Sequence, residues 1–222
     1  MATSKLTLAY WDIRGLAEPI RHLLEYVQLP YEQIRYSKWE DWAAKKDAFG
    51  ASFPNLPYLV DGDRTLTESE AILAYICVKA GNNDLLGKGE DRIEFIQLKS
   101  VIADIRSSLD RIIYGAKDHE EIKTKADEYV SGGGSQKFKG LEEILGKKDW
   151  LLGYLTYNDF VLAELLERYS DMDAEVGSSV MKNYPNLQAF IKRFVELPGV
   201  KEYRASDKFA PRPHNAWMAV WQ

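Results

Sequence analysis

The fold is decided by the stretch Lys5–Tyr26, KLTLAYWDIRGLAEPIRHLLEY, in which the hydrophobic pattern changes from one period to another. In its first half Leu6, Leu8 and Tyr10 alternate with polar or small residues, which is typical of a strand. In its second half apolar residues recur at the three- and four-residue spacing of a helix face. The stretch therefore predicts a strand followed closely by a helix, with the aromatic and charged segment Tyr10–Gly15 between them.

The next sixty residues continue this mixture of strand and helix signals. YEQIRY (31–36) is a second short alternating run, and LPYLVDGDRTLT (56–67) places two apolar runs around Asp61-Gly62, a strong hairpin signal. The polar segment Thr67–Glu70 then leads into an apolar helical run, so we expect a helix that starts with a polar cap. This order of elements predicts a small sheet with one parallel pair and an antiparallel edge.

Beyond about residue 90 the sequence carries helix signals alone. GNNDLLGKGED (81–91) has the composition of a linker. We expect helices near 92–117, 119–130, 137–145, 157–169, 186–196 and 199–205, a break at Gly132–Gly134, and a capping box at Thr156–Asp159. Ile93 and Ile96 are expected on apolar faces of the first of these helices. The sequence therefore predicts an α/β domain at 1–82, a linker at 83–90 and an all-helical domain at 91–222.

The composition limits the classes of function. The chain has 222 residues, 45% hydrophobic and 28% charged, which is ordinary for a folded protein. A net charge of −5 argues against an extended nucleic-acid footprint. No apolar run approaches the roughly 18 residues of a membrane span, and no signal-peptide pattern is present at the start. We therefore expect a cytoplasmic protein that binds neither nucleic acid nor membrane.

Cys77 is the only cysteine in the chain. Intramolecular disulfides and CxxC redox or zinc chemistry are therefore excluded, and no metal site is expected. Cys77 lies in the apolar stretch AILAYICVK, where a free cysteine usually packs as a small hydrophobic residue. We expect the protein to carry out its chemistry without a sulfur of its own.

Three positions in the α/β half have the residue types of a binding site. Tyr10 and Trp11 end a strand, where open α/β sheets bind ligands. Ser69 opens a helix, whose amino terminus suits a carboxylate. If the bond before Pro57 is cis, the N–H and C=O groups of Leu56 point outward and can pair with an extended peptide. These features favour a small peptide-like anion as ligand, while Tyr10 as a half-buried strand aromatic and Ser69 as a simple cap remain alternatives.

Longer motifs add a family resemblance to this picture. AYWDIRGLAEPIR and FPNLPYLVDGDRTLTESEAI resemble the amino-terminal domain of cytosolic glutathione S-transferases, and ADIRSSLDRIIY and YPNLQAFIKRF extend the match through the helical half. The resemblance is closest to the mu class and the related helminth enzymes, and it covers nearly the whole chain in order. It implies a thioredoxin-like domain followed by an all-helical domain that contributes the electrophile site.

The resemblance implies a catalytic role for Tyr10. The family's tyrosine hydroxyl donates a hydrogen bond to the sulfur of reduced glutathione and thereby favours thiolate over thiol. A phenol suits this task because its ordinary pKa near 10 keeps it protonated. Glutathione arrives as a cosubstrate, so the resemblance implies no tightly bound cofactor.

Other matched positions are implied to bind the tripeptide, the electrophile or a second subunit. Asp104 matches an acid that reaches the γ-glutamyl amine from the neighbouring subunit of a homodimer, and Phe53 matches an aromatic side chain that inserts into the partner. The implied glutathione-binding residues are Trp11, Trp42, Lys46, Asn55, Leu56, Pro57, Glu68, Ser69 and Asp104, and the implied electrophile-binding residues are Ile13, Leu16 and Tyr114.

The chain also departs from the family pattern at several positions. Glu68 replaces the usual Gln, polar residues surround Tyr114, and the glycine run 132–134 has no counterpart. The resemblance implies a transferase that conjugates glutathione to hydrophobic electrophiles. A glutathione-dependent isomerase and a noncatalytic ligand-binding or structural protein of the same fold are the alternatives.

Overall fold

The computed structural model describes residues 5–46 and 52–222, and these form two compact units. The first unit contains the described residues up to Asn82 together with Pro198–Ala216, and the second contains Asn83–Leu197 and Trp217–Gln222. The first unit consists of β1 (Leu6–Trp11), α1 (Glu18–Tyr26), β2 (Tyr31–Tyr36), α2 (Trp39–Lys46), β3 (Tyr58–Asp61), β4 (Arg64–Thr67), α3 (Ser69–Lys79) and α9 (Val200–Arg204).

The sheet of the first unit has the strand order β2-β1-β3-β4. β1 runs parallel to β2 and antiparallel to β3, and the hairpin of β3 and β4 closes at Asp61 opposite Arg64. The predicted parallel pair, hairpin and antiparallel edge are therefore confirmed. The arrangement is the thioredoxin-like fold.

A buried polar cluster ties α9 to the first unit. Glu18 and Arg21 on α1 are each about 1% exposed, and Arg21 Nη1 donates to Glu18 Oε2 at 2.7 Å. The hydroxyl of Tyr203 on α9 donates to the other oxygen, Glu18 Oε1, at 2.9 Å. The predicted helical domain at 91–222 includes Pro198–Ala216, but these residues group with the first unit, where α9 packs against α1.

The second unit is helical, as the sequence predicts. It contains α4 (Arg92–Gly115), α5 (His119–Ser131), α6 (Ser135–Leu145), α7 (Tyr157–Val176) and α8 (Pro185–Phe194), with short 3-10 turns at Asn83–Leu86, Gly89–Asp91 and Met181–Asn183. The predicted break appears as a turn between α5 and α6, and α7 continues seven residues beyond the expected end at 169. Ile93 and Ile96 do not join the core, since they are 71% and 57% exposed.

The predicted capping box at the start of α7 is confirmed. Asp159, fully buried, accepts hydrogen bonds at Oδ2 from the amide and hydroxyl of Thr156, both at 2.8 Å. Its Oδ1 accepts from the amide of Leu151 at 2.9 Å, which joins the preceding loop to the helix. Burial raises the pKa of Asp159 to about 6, although these hydrogen bonds oppose the rise.

Neither a membrane span nor a metal cluster occurs in the described structure. Among residues 5–46 and 52–222, no helix combines the length and hydrophobicity needed to cross a membrane. Within the same ranges, no three His, Cys, Asp or Glu side chains are grouped as metal ligands.

The substitution Asp159→Asn should lower the free energy of unfolding by about 1–3 kcal/mol, because an amide NH₂ would face N–H and O–H donors. The folded-state pKa of Asp159 is raised to about 6, whereas an unfolded Asp titrates near 3.9. Its contribution is therefore fully present below about pH 4 and is lost as the pH rises through about 6.

Denaturant unfolding of wild type and variant should accordingly differ more near pH 4.5 than at about pH 7. A difference between the two proteins that grows with pH would contradict the assignment of a raised pKa to this carboxyl group.

Candidate active site

Tyr10 lies near the end of β1 with its phenol held against the following loop. Its side chain is only 7% exposed, and the Leu16 backbone N–H donates to its Oη at 3.3 Å. A phenol group can accept an N–H and also donate its own O–H, because it is both a donor and an acceptor. The local geometry therefore holds the phenol of Tyr10 beside the loop that follows β1.

Gly15 makes this position of the phenol possible. Its φ of +43° lies in the region that favours glycine, and a Cβ there would lie 2.8 Å from both Cε1 and Oη of Tyr10. The ring is buried and cannot shift cheaply to accommodate an added methyl group. The Tyr10 ring thus packs directly against the Gly15 backbone. Any residue with a Cβ at position 15 would clash with the ring in this position.

A distant part of the chain holds the same loop from the other side. The amide of Arg14 donates to Pro213 O at 2.9 Å, and the amide of Gly15 donates to His214 O at 3.2 Å. The bond between Arg212 and Pro213 is cis, and His214 is fully buried. The backbone that positions Tyr10 is therefore fixed by residues more than 190 positions away.

The segment before β3 contains a buried cis peptide bond. The Leu56–Pro57 bond is cis, as the sequence analysis anticipated, and both residues are buried. The side chain of Asn55 organises this segment, because its Oδ1 accepts from the Leu56 amide at 2.9 Å and its Nδ2 donates to Glu68 Oε1 at 3.2 Å. Asn55 thus connects two elements that the sequence analysis assigns to the same ligand.

The start of α3 differs from the expected polar cap. Glu68 is the residue before the helix, but its side chain makes no hydrogen bond to the first-turn amides. Its φ of 69° is uncommon for a residue with a side chain and costs conformational energy. Ser69 is the first helical residue and is 8% exposed. The predicted polar side-chain cap is therefore wrong at Glu68, the residue that precedes the helix. The side chain of Glu68 does not cap the amino terminus of α3.

Trp42 on α2 is packed into an aromatic cluster. It is 3% exposed, stacks on Tyr58 with ring centroids 6.0 Å apart, and contacts Tyr36 at 5.8 Å. The hydroxyls of Tyr36 and Tyr58 are hydrogen-bonded at 2.9 Å. Trp42 is thus a rigid, buried position at which the ring carries a single N–H donor.

Two further predicted residues of the first unit flank this cluster. Lys46, the last residue of α2, is half-buried. Trp11 makes an edge contact with Tyr36 and stacks on the exposed ring of Trp39 at 6.2 Å. Trp11 therefore packs beneath other aromatic rings on the face of the sheet opposite to Tyr10.

The second unit carries Asp104 and Tyr114, both on α4. Asp104 forms an ion pair with Lys137 at 3.1 Å, and Tyr114 is 41% exposed. One turn before Tyr114, the carboxylate of Asp110 accepts a hydrogen bond from Arg168, a side chain only 7% exposed, at 2.9 Å. Asp110, one of the polar residues that the sequence places near Tyr114, is thus fixed by an ion pair with Arg168.

The structure collects eleven of the predicted residues in the first unit, and Asp104 and Tyr114 lie in the second. Ile13 and Leu16 are half-buried in the loop that follows β1. Sequence reasoning missed the residues that support the others. These are Gly15, Tyr36, Tyr58, Pro213 and His214. Gly15 could have been noticed as a glycine directly after a strand, whereas the contacts of Pro213 and His214 have no local signal.

Family models match both halves of the chain. The model for the glutathione S-transferase N-terminal domain matches residues 6–77, and a model for the glutathione S-transferase C-terminal domain matches residues 103–207. The chain belongs to the glutathione S-transferase family. The resemblance that the sequence motifs indicated is thereby confirmed.

Relatives of known sequence and structure agree with this assignment. Glutathione S-transferase Mu 7 of Rattus norvegicus is 38% identical over 225 residues, which cover 97% of this chain and 98% of the relative. The crystal structure of glutathione S-transferase Blo t 8 is 32% identical, with a TM-score of 0.77 over 96% of this chain and 98% of that one. The Pi-class enzyme of Onchocerca volvulus is 27% identical, with a TM-score of 0.80 over 98% of this chain and all of that one. The chain is mu-class-like.

The substitution Gly15→Ala should displace the Tyr10 phenol, because the added Cβ would lie 2.8 Å from its Oη. We expect turnover of glutathione with an electrophile to fall by about 10-fold or more, since one misplaced catalytic group is enough for such a loss. Gly62→Ala is the matched control, because Gly62 also has positive φ but nothing lies within 4 Å of its Cβ position.

Steady-state kinetics on both variants, with circular dichroism to check folding, would measure the effect. Equal losses of activity in the two glycine variants would show that backbone strain, and not the contact with Tyr10, is responsible.

Proposed function

We propose that this protein is a glutathione transferase in which the Tyr10 hydroxyl stabilises the thiolate of reduced glutathione for attack on hydrophobic electrophiles. Membership of the glutathione S-transferase family supports the conjugation reaction. The observation that supports the role of Tyr10 is the position of its buried phenol, whose oxygen is held by the Leu16 N–H beside the loop after β1. Neutral phenol donation favours the charged form of the sulfur.

The required effect is within reach of one hydrogen bond in such a place. A free thiol is only a few per cent ionised at neutral pH. Lowering its pKa by about two units takes roughly 2.7 kcal/mol of differential stabilisation. Donors aimed at a developing charge in a site that excludes water commonly contribute this much.

The protein has no suitable thiol of its own. Cys77 is fully buried in α3, and burial raises the pKa of its thiol to about 12. A thiol with such a pKa supplies almost no thiolate at neutral pH. The nucleophilic sulfur therefore belongs to the cosubstrate, which agrees with the proposed reaction.

We assign the three parts of glutathione to other residues of the first unit. We assign the γ-glutamyl carboxylate to Ser69 and the amides at the start of α3, because Glu68 does not cap them and a helix amino terminus attracts anions. Asn55 and Glu68, already joined at 3.2 Å, flank the same end of the ligand.

The remaining assignments concern the middle and the glycyl end of the tripeptide. Leu56 beside the cis bond is assigned to the cysteinyl backbone. The Leu56 N–H donates to Asn55 Oδ1, so the ligand is expected to share or replace that contact. Trp42 and Lys46 are assigned to the glycyl carboxylate as N–H and ammonium donors, and Trp11 supports this region of the sheet.

Other residues are assigned to the second substrate and to a second subunit. Ile13 and Leu16 in the first unit are proposed to contact the electrophile, and the assignment of Tyr114 to the electrophile stays a prediction of the sequence. A homodimer is proposed because Phe53, Ile93 and Ile96 are large apolar side chains at least 57% exposed. In this dimer Asp104 would meet the γ-glutamyl amine of glutathione bound to the partner subunit. A cytoplasmic location remains a prediction of the sequence.

The substitution Tyr10→Phe should preserve binding of glutathione but reduce conjugation by about 10- to 1,000-fold, as expected when one catalytic donor is removed. The pKa of bound glutathione, measured from thiolate absorbance against pH, should rise in the variant towards the pKa of free glutathione. Tyr154→Phe, which removes a half-buried phenol in the second unit, serves as the control. Unchanged turnover in Tyr10→Phe would exclude the proposed role.

The substitution Phe53→Ala should weaken self-association, because Phe53 exposes 76% of a large apolar side chain that a partner would bury. Sedimentation velocity at decreasing protein concentration would reveal earlier dissociation of the variant. Ile34→Ala, at another exposed hydrophobic position, is the control. Identical dissociation of wild type and Phe53→Ala would remove Phe53 from the interface.

A further inference from the structure

The second unit carries an exposed ion pair between Asp104 on α4 and Lys137 on α6. Lys137 Nζ lies 3.1 Å from Asp104 Oδ2, and the side chains are 32% and 66% exposed, respectively. Pairs with this exposure typically contribute less than about 1 kcal/mol to folding. Stability is therefore a weak reason for these two charges to be held together.

The glycine turn Gly132–Gly134 comes directly before the helix that carries Lys137. A Cβ at Gly134 would lie 2.7 Å from Cε1 of Tyr129, so the turn packs against that ring only with glycine. The carbonyl of Gly134 accepts from the amides of Lys137 at 3.0 Å and Phe138 at 3.1 Å. The turn Gly132–Gly134 therefore starts α6 and sets the rotation of its first residues.

Phe138 then fixes the direction in which its neighbour points. The ring of Phe138 is fully buried, with the rings of Tyr169 and Tyr184 at centroid distances of 5.3 Å each. Successive helix residues point about 100° apart. Because Phe138 faces the core, Lys137 is turned to the side of α6 from which it reaches Asp104.

The pair has the charge pattern that complements one end of glutathione. The γ-glutamyl terminus carries an ammonium and a carboxylate on the same carbon, and a carboxylate beside an ammonium can bind both at once. We propose that Lys137 binds the α-carboxylate of glutathione held by the partner subunit while Asp104 binds its ammonium. This inference rests on the proposed transferase function and its homodimer, and it assigns a role to Lys137 and to the glycine turn.

The test compares two thioether ligands that differ by one charge. S-methylglutathione has the full γ-glutamyl terminus, and the analogue with 4-aminobutyryl in its place lacks the α-carboxylate. Titration calorimetry should show that Lys137→Met raises the Kd of S-methylglutathione about three- to tenfold, which corresponds to roughly 0.7–1.4 kcal/mol. The Kd of the 4-aminobutyryl analogue should not change.

Lys139→Met is the matched control, because it removes the same charge from an exposed position on the same helix. It should leave both dissociation constants unchanged. Asp104→Asn should show the mirror pattern, with a loss for S-methylglutathione and none for the glutaryl analogue that lacks the ammonium. In Lys137→Met, kcat at saturating glutathione should match wild type while the KM for glutathione rises.

Three results with Lys137→Met would overturn the proposal. An unchanged Kd for S-methylglutathione would show that Lys137 does not meet the ligand. A lower Kd would show that Lys137 competes with the ligand amine for Asp104. Equal losses with both ligands would indicate a structural effect.

The failure of this proposal can be told apart from failure of the proposed function. If wild type neither binds S-methylglutathione nor conjugates glutathione, both proposals fall. If wild type does both and Lys137→Met behaves like wild type, the role of Lys137 alone is overturned.

Discussion

The close approach between the Gly15 backbone and the Tyr10 ring is the constraint on which the candidate site depends. Tyr10 lies near the end of β1 with its phenol against the following loop, and this requires a residue without Cβ at position 15. The Leu16 amide that follows then meets the phenol oxygen. The strand, the glycine and this backbone N–H thus define the local position of the phenol.

This loop is stable only because the chain returns to it late in the sequence. Backbone carbonyls of Pro213 and His214 accept the amides of Arg14 and Gly15, and these amides would otherwise lose their partners on burial. The Tyr203 hydroxyl on Glu18 holds the same returning segment against α1. The thioredoxin-like unit is therefore completed by Pro198–Ala216. Truncation of the chain after Leu197 would remove part of the support for Tyr10.

Local patterns in the sequence predicted most of the helices and strands, and the family resemblance named the candidate residues. Contacts between residues distant in sequence could not be predicted from these patterns. Strands, helices, the hairpin, the Asp159 capping box and the break at Gly132–Gly134 all follow from periodicity and turn chemistry within a few residues. The burial of Trp42 between Tyr36 and Tyr58 depends on three separate segments. Helical periodicity likewise places Ile93 and Ile96 on apolar helix faces. It does not predict whether residues of the same chain cover these faces, and in the structure both side chains are exposed.

The wrong prediction of a cap on α3 has a physical meaning of its own. A polar segment before a helix normally satisfies the first amides, and Glu68 could do so from an ordinary backbone conformation. Instead Glu68 adopts a φ of 69°, and its carboxylate accepts a hydrogen bond from Asn55 Nδ2. Asn55 Oδ1 in turn accepts from the Leu56 amide. The chain thus accepts strain and an uncapped helix end at one place. In the proposed complex, a ligand carboxylate at this end would accept hydrogen bonds from the first-turn amides that Glu68 does not cap.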